Sequence, residues 1–299
     1  MDDKSSVFAI LVNYNTPLLT QECIDSLKKS TYQNIHIIVV DNGSIDDSSV
    51  QLSKVGGIVF LHSNQNLGFS GGNNIGIKYA LEHDADYIML LNNDTIIDPN
   101  MVRILLENNN GENITIPKIY YFPKGNKHIW AAGGELVKFD SDAIQRGLNE
   151  LDNGQYNSAS NISFCCGCCF LTSAQIWKKI GLLREEYFLY CEDTDFSVRL
   201  KQNDVKVRYI PEAVMWHKVS ASSGGENSKF IAYYVTRNRL YLAVVNHLGM
   251  KAVLAVLIQS IGRYIKSFFK SNKSYRIVPF ALFDEVKGNM GKSGRNLRK

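Results

Sequence analysis

Tyr87-Ile-Met-Leu-Leu-Asn92-Asn93-Asp94-Thr95 is the stretch that decides the fold. Ile88 to Leu91 follow Tyr87 as an unbroken apolar run, the pattern of a strand covered on both faces. The run stops at three polar residues, and Pro99 closes the loop soon after. In an open α/β sheet, ligands bind outside the carboxyl ends of the strands. Asp94 therefore stands either as a turn-capping residue or as a carboxylate placed for chemistry, and the rest of the chain decides between the two.

Toward the amino terminus, Val7 to Val12 reads as a first buried strand, followed by Asn13-Tyr14-Asn15. Thr16-Pro17 then pairs an N-cap residue with proline at the first helical position. Leu18, Leu19, Cys23 and Leu27 recur at helical spacing and predict a helix to about Lys29. Ile35 to Val40 is a second strand ending in Asp41-Asn42-Gly43-Ser44, and a third is expected at Ile58 to Leu61. Strand, helix, strand, strand, helix, strand implies a largely parallel α/β sheet. Asp41 sits where a dinucleotide fold keeps its ribose-binding acid. That fold needs Gly-x-Gly-x-x-Gly after the first strand, and here the turn is Asn-Tyr-Asn-Thr-Pro.

Asn66-Leu67-Gly68-Phe69-Ser70-Gly71-Gly72-Asn73-Asn74-Ile75-Gly76 lacks the Lys-Ser/Thr of a P-loop. It reads either as a plain tight turn or as a glycine loop opening a helix from Asn74 to about Glu82, with free N–H groups facing an anion. Residues 100–160 are weakly patterned and read as a mobile, substrate-adapted region. Pattern returns at Phe164 with a cysteine-rich strand and a helix over about Ser173 to Ile180. Four of the six cysteines lie in Cys165-Cys166-Gly167-Cys168-Cys169. With no second cluster at zinc-site spacing, they read as free thiols in a buried segment. Glu192, Asp193 and Asp195 open a further helix, where the dipole favours negative charge. Glu192 and Asp193 are adjacent and point apart, so capping does not use both. A strand at Val205 to Ile210 leads past Pro211 to Trp216-His217.

In this order the motifs resemble the family 2 glycosyltransferases of the GT-A fold, particularly the bacterial rhamnosyltransferases and galactofuranosyltransferases. The resemblance runs from about Val7 to His217. It rests on the sequence order of Val12-Asn-Tyr-Asn, Val39-Val-Asp-Asn-Gly-Ser, Asn66-Leu-Gly-Phe with Gly71-Gly-Asn-Asn-Ile-Gly, Leu91-Asn-Asn-Asp, Glu192-Asp-Thr-Asp and Trp216-His. It implies a mostly parallel sheet flanked by helices in residues 1–225, with a nucleotide-sugar half (1–110), an acceptor and catalytic half (111–225), and a helical, basic extension (226–299). It also implies an inverting transferase. Asp193 would be the base, and Asp94 and His217 would hold Mg2+ or Mn2+. Asn13, Asn15, Asp41, Asn66, Gly71, Gly72, Asn73 and Asn93 would line the donor, with Glu192, Asp195 and Trp216 toward the acceptor. Asn92 replaces the first acid of the family's Asp-x-Asp, which leaves one fewer negative ligand for the metal. The implied partners are a nucleotide-diphosphate sugar (dTDP-rhamnose or a UDP-hexose) and a glycan or lipid-linked glycan. The rival reading is a catalytically silent sugar-nucleotide-binding or assembly protein.

The 299-residue chain carries a net charge of +4, yet residues 263–299 hold ten basic side chains against Asp284 and Glu285. No recognition module for nucleic acid accompanies that basic tail. The amino terminus starts without a signal-peptide pattern and is expected to be cytosolic. Ser220-Ala-Ser-Ser-Gly-Gly reads as a loop able to close on the donor. Arg237 or Arg239 stands within reach of the diphosphate or on a solvated helix face. Leu254, Leu257, Ile258, Ile261, Ile265, Phe268 and Phe269 fall on one helical face, opposite Arg263, Lys266 and Lys270. That helix suits either a core or an anionic membrane surface met through residues 251–299, on the inner face of the cell membrane. The tail from Lys287 is expected to be disordered, and a chain cut at about Leu248 is expected to keep donor binding.

Overall fold

The computed structural model describes residues 4–219, 228–269 and 273–297, so the Ser220–Gly225 loop lies outside the described residues. The first half consists of β1 Val7–Asn13, α1 Pro17–Leu27, β2 Ile35–Asn42, α2 Ser48–Leu52, β3 Val59–Ser63, α3 Gly68–Glu82 and β4 Tyr87–Leu91. Then come β5 Thr95–Ile97, α4 Met101–Glu107, β6 Asn113–Tyr121, β7 Ile129–Ala131, a hairpin of β8 Gly134–Val137 and β9 Asp142–Gln145, and β10 Ser160–Ile162. β11 Cys169–Ser173, α5 Ala174–Ile180, α6 Glu192–Gln202 and β12 Lys206–His217 complete the sheet, and α7 Lys229–Val245, α8 Met250–Phe269 and α9 Val278–Val286 form an outer layer.

The sheet runs β10-β12-β6-β11-β4-β1-β2-β3, with β5 on β12 and β7 on β6. β3, β2, β1 and β4 are parallel, as the strand–helix alternation implies. β11 enters antiparallel between β4 and β6, so the second half of the sheet is mixed. Successive side chains of a strand face opposite ways, and β1 splits accordingly: Val7, Ala9 and Leu11 join one core, Phe8 and Ile10 the other. Cys23, Ile24 and Leu27 of α1 cover the first face, while Ile77, Trp177 and Phe196 of α3, α5 and α6 cover the second.

Three expectations are corrected. The glycine-rich stretch is not a loop before a helix: α3 begins at Gly68, and Gly71 to Asn74 are already helical. Its glycines serve close approach to β1, since a Cβ on Gly72 would lie 2.7 Å from Val12 and one on Gly76 2.6 Å from Ile10. Residues 100–160 contain β6, a central strand whose Ile114 and Ile116 are buried. Thr115, Pro117 and Lys118 hide its apolar alternation. The tail is ordered to Leu297, which is buried with Phe188, Tyr233, Tyr234 and Ala281. Thr16 occupies the N-cap position of α1 but makes no capping hydrogen bond; its hydroxyl is used elsewhere, below.

Candidate active site

The carboxyl ends of β1, β2 and β4, together with the end of β12, meet at one edge of the sheet. There Asn13, fully buried, donates from Nδ2 to Asp41 Oδ1 (2.9 Å) and accepts on Oδ1 from Thr20 (2.9 Å). Asp41 also accepts from Ser44 (2.5 Å) and stands 3.1 Å from His62 Nδ1. Asn93 donates to Thr16 and Thr20 at 2.9 and 2.8 Å, tying the β4 loop to the start of α1. Asn15, held at φ 55°, bridges the β1 and β2 loops through Ser44 and Ile45. The predicted donor residues Asn13, Asn15, Asp41 and Asn93 are thus brought into one polar network. Ser44, the last residue of the Val39-to-Ser44 motif, belongs to it as well, as do Thr20 and His62, to which no motif pointed.

Asn66 folds back on Gly68 N (2.8 Å), and Asn42 holds the same turn through Leu67 N and Gly68 O. Gly72 packs on Val12, and Asn73 bonds Phe69 O within its own helix at 2.9 Å. These two predicted donor contacts, with Gly71 against Leu67, are turned to packing rather than to open space.

Asp94 Oδ1 and His217 Nε2 lie 3.0 Å apart, both nearly buried, because β5 aligns Thr95 with His217. Trp130 of β7 meets the His217 ring edge-on at 4.5 Å, a neighbour that sequence spacing could not supply. His217 Nδ1 is buried and has no hydrogen-bond partner among the described residues. The nitrogen that faces the carboxylate is Nε2, on the other edge of the ring from that orphan, so the Asp94–Nε2 pair itself is what suits a cation. Among the described residues no cluster of three or more His, Cys, Asp or Glu is close enough to hold a metal. The chain therefore offers one carboxylate and one imidazole, and phosphate oxygens and water would have to complete the shell. Trp216 alternates to the opposite face of β12, under Lys124 at 4.8 Å.

Asn92 N donates to Cys168 O (2.8 Å), and Gly167 N donates to Asp193 Oδ2 (3.1 Å). One short segment therefore links the Asp94 loop to the first turn of α6. Thr194 N holds the other Asp193 oxygen at 2.7 Å. Burial raises the pKa of Asp193 despite these donors. Burial, and then Asp193 itself, raises that of Glu192, whose Oε2 is buried without a hydrogen-bond partner among the described residues. The nearby Cys166 thiol is pushed up to about 12 by burial and by Asp193, so it stays neutral and is no nucleophile.

Asp195 does not face an acceptor. Its fully buried carboxylate accepts from Arg184, Arg199 Nε (2.9 Å), Tyr187 (3.0 Å) and Asn246 (2.7 Å). Arg237 and Arg239 are neither solvated nor aimed at a diphosphate. Arg237 donates to the carbonyls of Tyr187 (3.2 Å) and Gly291 (2.8 Å), and Arg239 to Ser141 O (3.0 Å). Asn238 donates to the carbonyls of Tyr187, Leu189 and Tyr190 at 3.0, 2.9 and 2.8 Å. In that loop Phe188, Tyr190 and Cys191 all hold positive φ, at 63°, 68° and 70°.

A sequence model of glycosyl transferase family 2 matches residues 8–181. The chain belongs to glycosyl transferase family 2. It is 24% identical to a dTDP-rhamnosyl transferase of Shigella flexneri over 82% of each chain. It is 25% identical to a low-salt glycan biosynthesis hexosyltransferase of Haloferax volcanii, over 99% of this chain and 94% of the relative. The structure of GalNAc-T7 with UDP, GalNAc and Mn2+ superposes with a TM-score of 0.63 at 14% identity, covering 82% of this chain and 48% of that one. The family 2 fold is thus GT-A, and the protein is a nucleotide-sugar-dependent glycosyltransferase of the hexosyl-transferring class.

Proposed function

We propose that this family 2 enzyme transfers a sugar with inversion from a nucleotide-diphosphate donor to a hydroxyl of a growing cell-surface polysaccharide or lipid-linked glycan. The donor is dTDP-rhamnose or a UDP-hexose, in keeping with the similarity to a dTDP-rhamnosyl transferase. The observation that carries the reading is the coupling of two sites through Gly167-Cys168: Asp193 on one side, the Asp94–His217 pair on the other.

Asp41, with Asn13, Ser44 and the partly exposed His62, forms the floor for the nucleoside. Asp94 and His217 would hold a divalent cation, Mg2+ or Mn2+, which supplies positive charge to the departing diphosphate. Asp193 takes the proton of the attacking hydroxyl, whose own pKa is too high for it to ionise first. Gly167 N–H and Thr194 N–H fix both of its oxygens, so the carboxylate is aimed before the acceptor arrives. A base on the far side of the anomeric carbon from the diphosphate gives in-line displacement and inversion. The acceptor end of the reading includes an anionic membrane surface at the inner face of the cell membrane, met through residues 251–299.

The test is Asp193→Asn. Transfer should fall by about 10²–10⁴-fold with donor affinity nearly unchanged, since a general base acts on the chemical step. The base works ionised, and burial raises its pKa. The acid limb of kcat should therefore lie above the ordinary carboxylate range of about 4. Half of parental activity in the variant would remove Asp193 from the role, and unchanged donor binding with no transfer by the parent would favour a silent sugar-nucleotide-binding protein.

A further inference from the structure

α8 packs inward through small residues. Ala252, Val256, Ser260 and Ser267 are buried, while Met250, Leu254, Ile258, Ile261, Ile265, Phe268 and Phe269 are exposed by 49% to 85%. These exposed positions recur every three or four residues and make one apolar stripe along a helix about 30 Å long. α9 adds Phe280, Phe283 and Val286, each more than half exposed. Cations sit over the rings of this surface: Arg276 at 5.0 Å from Phe268, Arg295 at 5.1 Å from Phe280 and Lys287 at 5.8 Å from Phe283. Lys251, Lys266 and Lys273 are exposed beside them, whereas Asp284 is buried in its pairing with Arg295.

We infer that α8 and α9 together form a monotopic docking face for an anionic phospholipid leaflet, with α8 lying in the plane of the interface. By length and composition α8 is also a candidate span. A single span would put its two flanks on opposite sides of the bilayer, but the flanks of α8 touch each other. Tyr233 of α7 donates to Asp284 of α9 at 2.7 Å, and Ala281 and Leu297 share a core with Tyr233 and Tyr234. A helix tied down on one side at both ends lies on a membrane rather than through it. A second copy of the chain is the poorer occupant, because face-to-face association would bring two cationic rims together. An anionic leaflet complements that rim and accepts the aromatic centre. The inference rests on the membrane part of the proposed function and not on its chemistry. Vesicle binding is read without donor or acceptor, so failure of the transfer assay leaves it standing.

The experiment uses the full chain and phosphatidylcholine vesicles with and without phosphatidylglycerol. The parent should co-sediment with the anionic vesicles at low salt, and alkaline carbonate should release it. Ile258→Ser/Phe268→Ser/Phe283→Ser alters only exposed side chains, so it should keep the parental melting temperature and bind at least about tenfold more weakly. Lys266→Glu/Arg276→Glu should lose about tenfold or more on anionic vesicles and little on neutral ones. Absence of pelleting, or undiminished pelleting of the triple variant, overturns the inference. Retention after carbonate overturns it in favour of a span. Concentration-dependent dimerisation without vesicles, abolished in the triple variant, overturns it in favour of a second copy.

Discussion

Asn238 lies on α7, beyond β12 from the Asp193 helix in the chain, yet replacing it should slow the chemistry. Its side-chain amide has two hydrogens and serves three carbonyls, those of Tyr187, Leu189 and Tyr190. Leaving a buried acceptor unsatisfied costs about 1–3 kcal/mol. Two lost donors therefore represent about 2–6 kcal/mol of restraint on the segment that leads into Glu192-Asp193. That segment also holds Phe188, Tyr190 and Cys191 in left-handed backbone. Non-glycine residues in such regions cost about 1–3 kcal/mol each and persist only where their surroundings impose them. Without the amide the loop should relax toward ordinary φ, and the first turn of α6 should shift with it.

In Asn238→Ala, the expected result is a kcat reduced by about 10-fold or more, below the ceiling of about 10⁴-fold that the lost restraint sets at 1.36 kcal/mol per decade. Donor affinity should change less than about threefold, because among the described residues the Asn13–Asp41 network shares no hydrogen bond with this loop, and an effect confined to the chemical step leaves binding intact. Asn238→Leu keeps similar bulk without donors and should behave alike. Asn238 is a positioning residue, and the split between kcat and donor Kd distinguishes that role from general loss of structure. Parental kcat in both variants would refute the reasoning. So would equal losses of kcat and donor binding accompanied by a collapsed melting curve.

Asp94→Ala and His217→Ala should each weaken metal-dependent donor binding by calorimetry, and EDTA should mimic both in the parent; full activity in EDTA would contradict a cation at this pair. Gly68→Ala would set a Cβ 2.0 Å from Phe188 O at a φ of +74°, so it should lower unfolding stability by about 3 kcal/mol or more in urea titrations. Arg295 holds the Asp284 carboxyl down at about 2. A depressed carboxylate pKa stabilises above the unfolded value of about 3.9 and ceases to as pH falls through the folded one. The gap in urea midpoint between the parent and Arg295→Gln should therefore be full at pH 7 and close between about pH 4 and about 2.

What was legible in the sequence follows from what a pattern can encode. β1, β2 and β4 are buried on both faces, so their apolar runs announced themselves. β6 is as central, but it carries Lys118, buried and bonded to Asp152 (2.8 Å) and Asn157 (2.6 Å). Partners 34 and 39 residues away make a buried lysine tolerable, and no local window contains them. The glycines of α3 were read for the freedom they give a loop, when their missing side chains let a helix approach β1. The Asp94–His217 pair needed 123 residues of intervening chain to fold, and order along the sequence stood in for that distance. Trp130, Gly167 and Asn238 had no such substitute, because each acts through contacts set by the sheet or by α7.

The outer layer also has a place in the catalytic half that its composition concealed. A basic, glycine-rich tail reads as dispensable, and a chain ending near Leu248 was expected to keep its pocket. The tail instead returns to the site loop: Gly291 N donates to Glu186 O at 2.7 Å, and Gly291 O receives Arg237 at 2.8 Å. Ser293 N bonds the hydroxyl of Tyr234 at 2.9 Å, and Tyr234 stacks on Phe188 at 5.5 Å. Cutting at Leu248 would therefore strip partners from the same arginine that steadies the loop before Asp193, and would expose two tyrosines that are now buried. α7 stands between the two surfaces of the layer. Its Arg237-Asn238 grips the loop on one side, and Arg239 reaches Gln259 of α8 at 3.1 Å on another. The outward face of α8 can be altered side chain by side chain, but the layer that carries it is part of the machinery that aims the base.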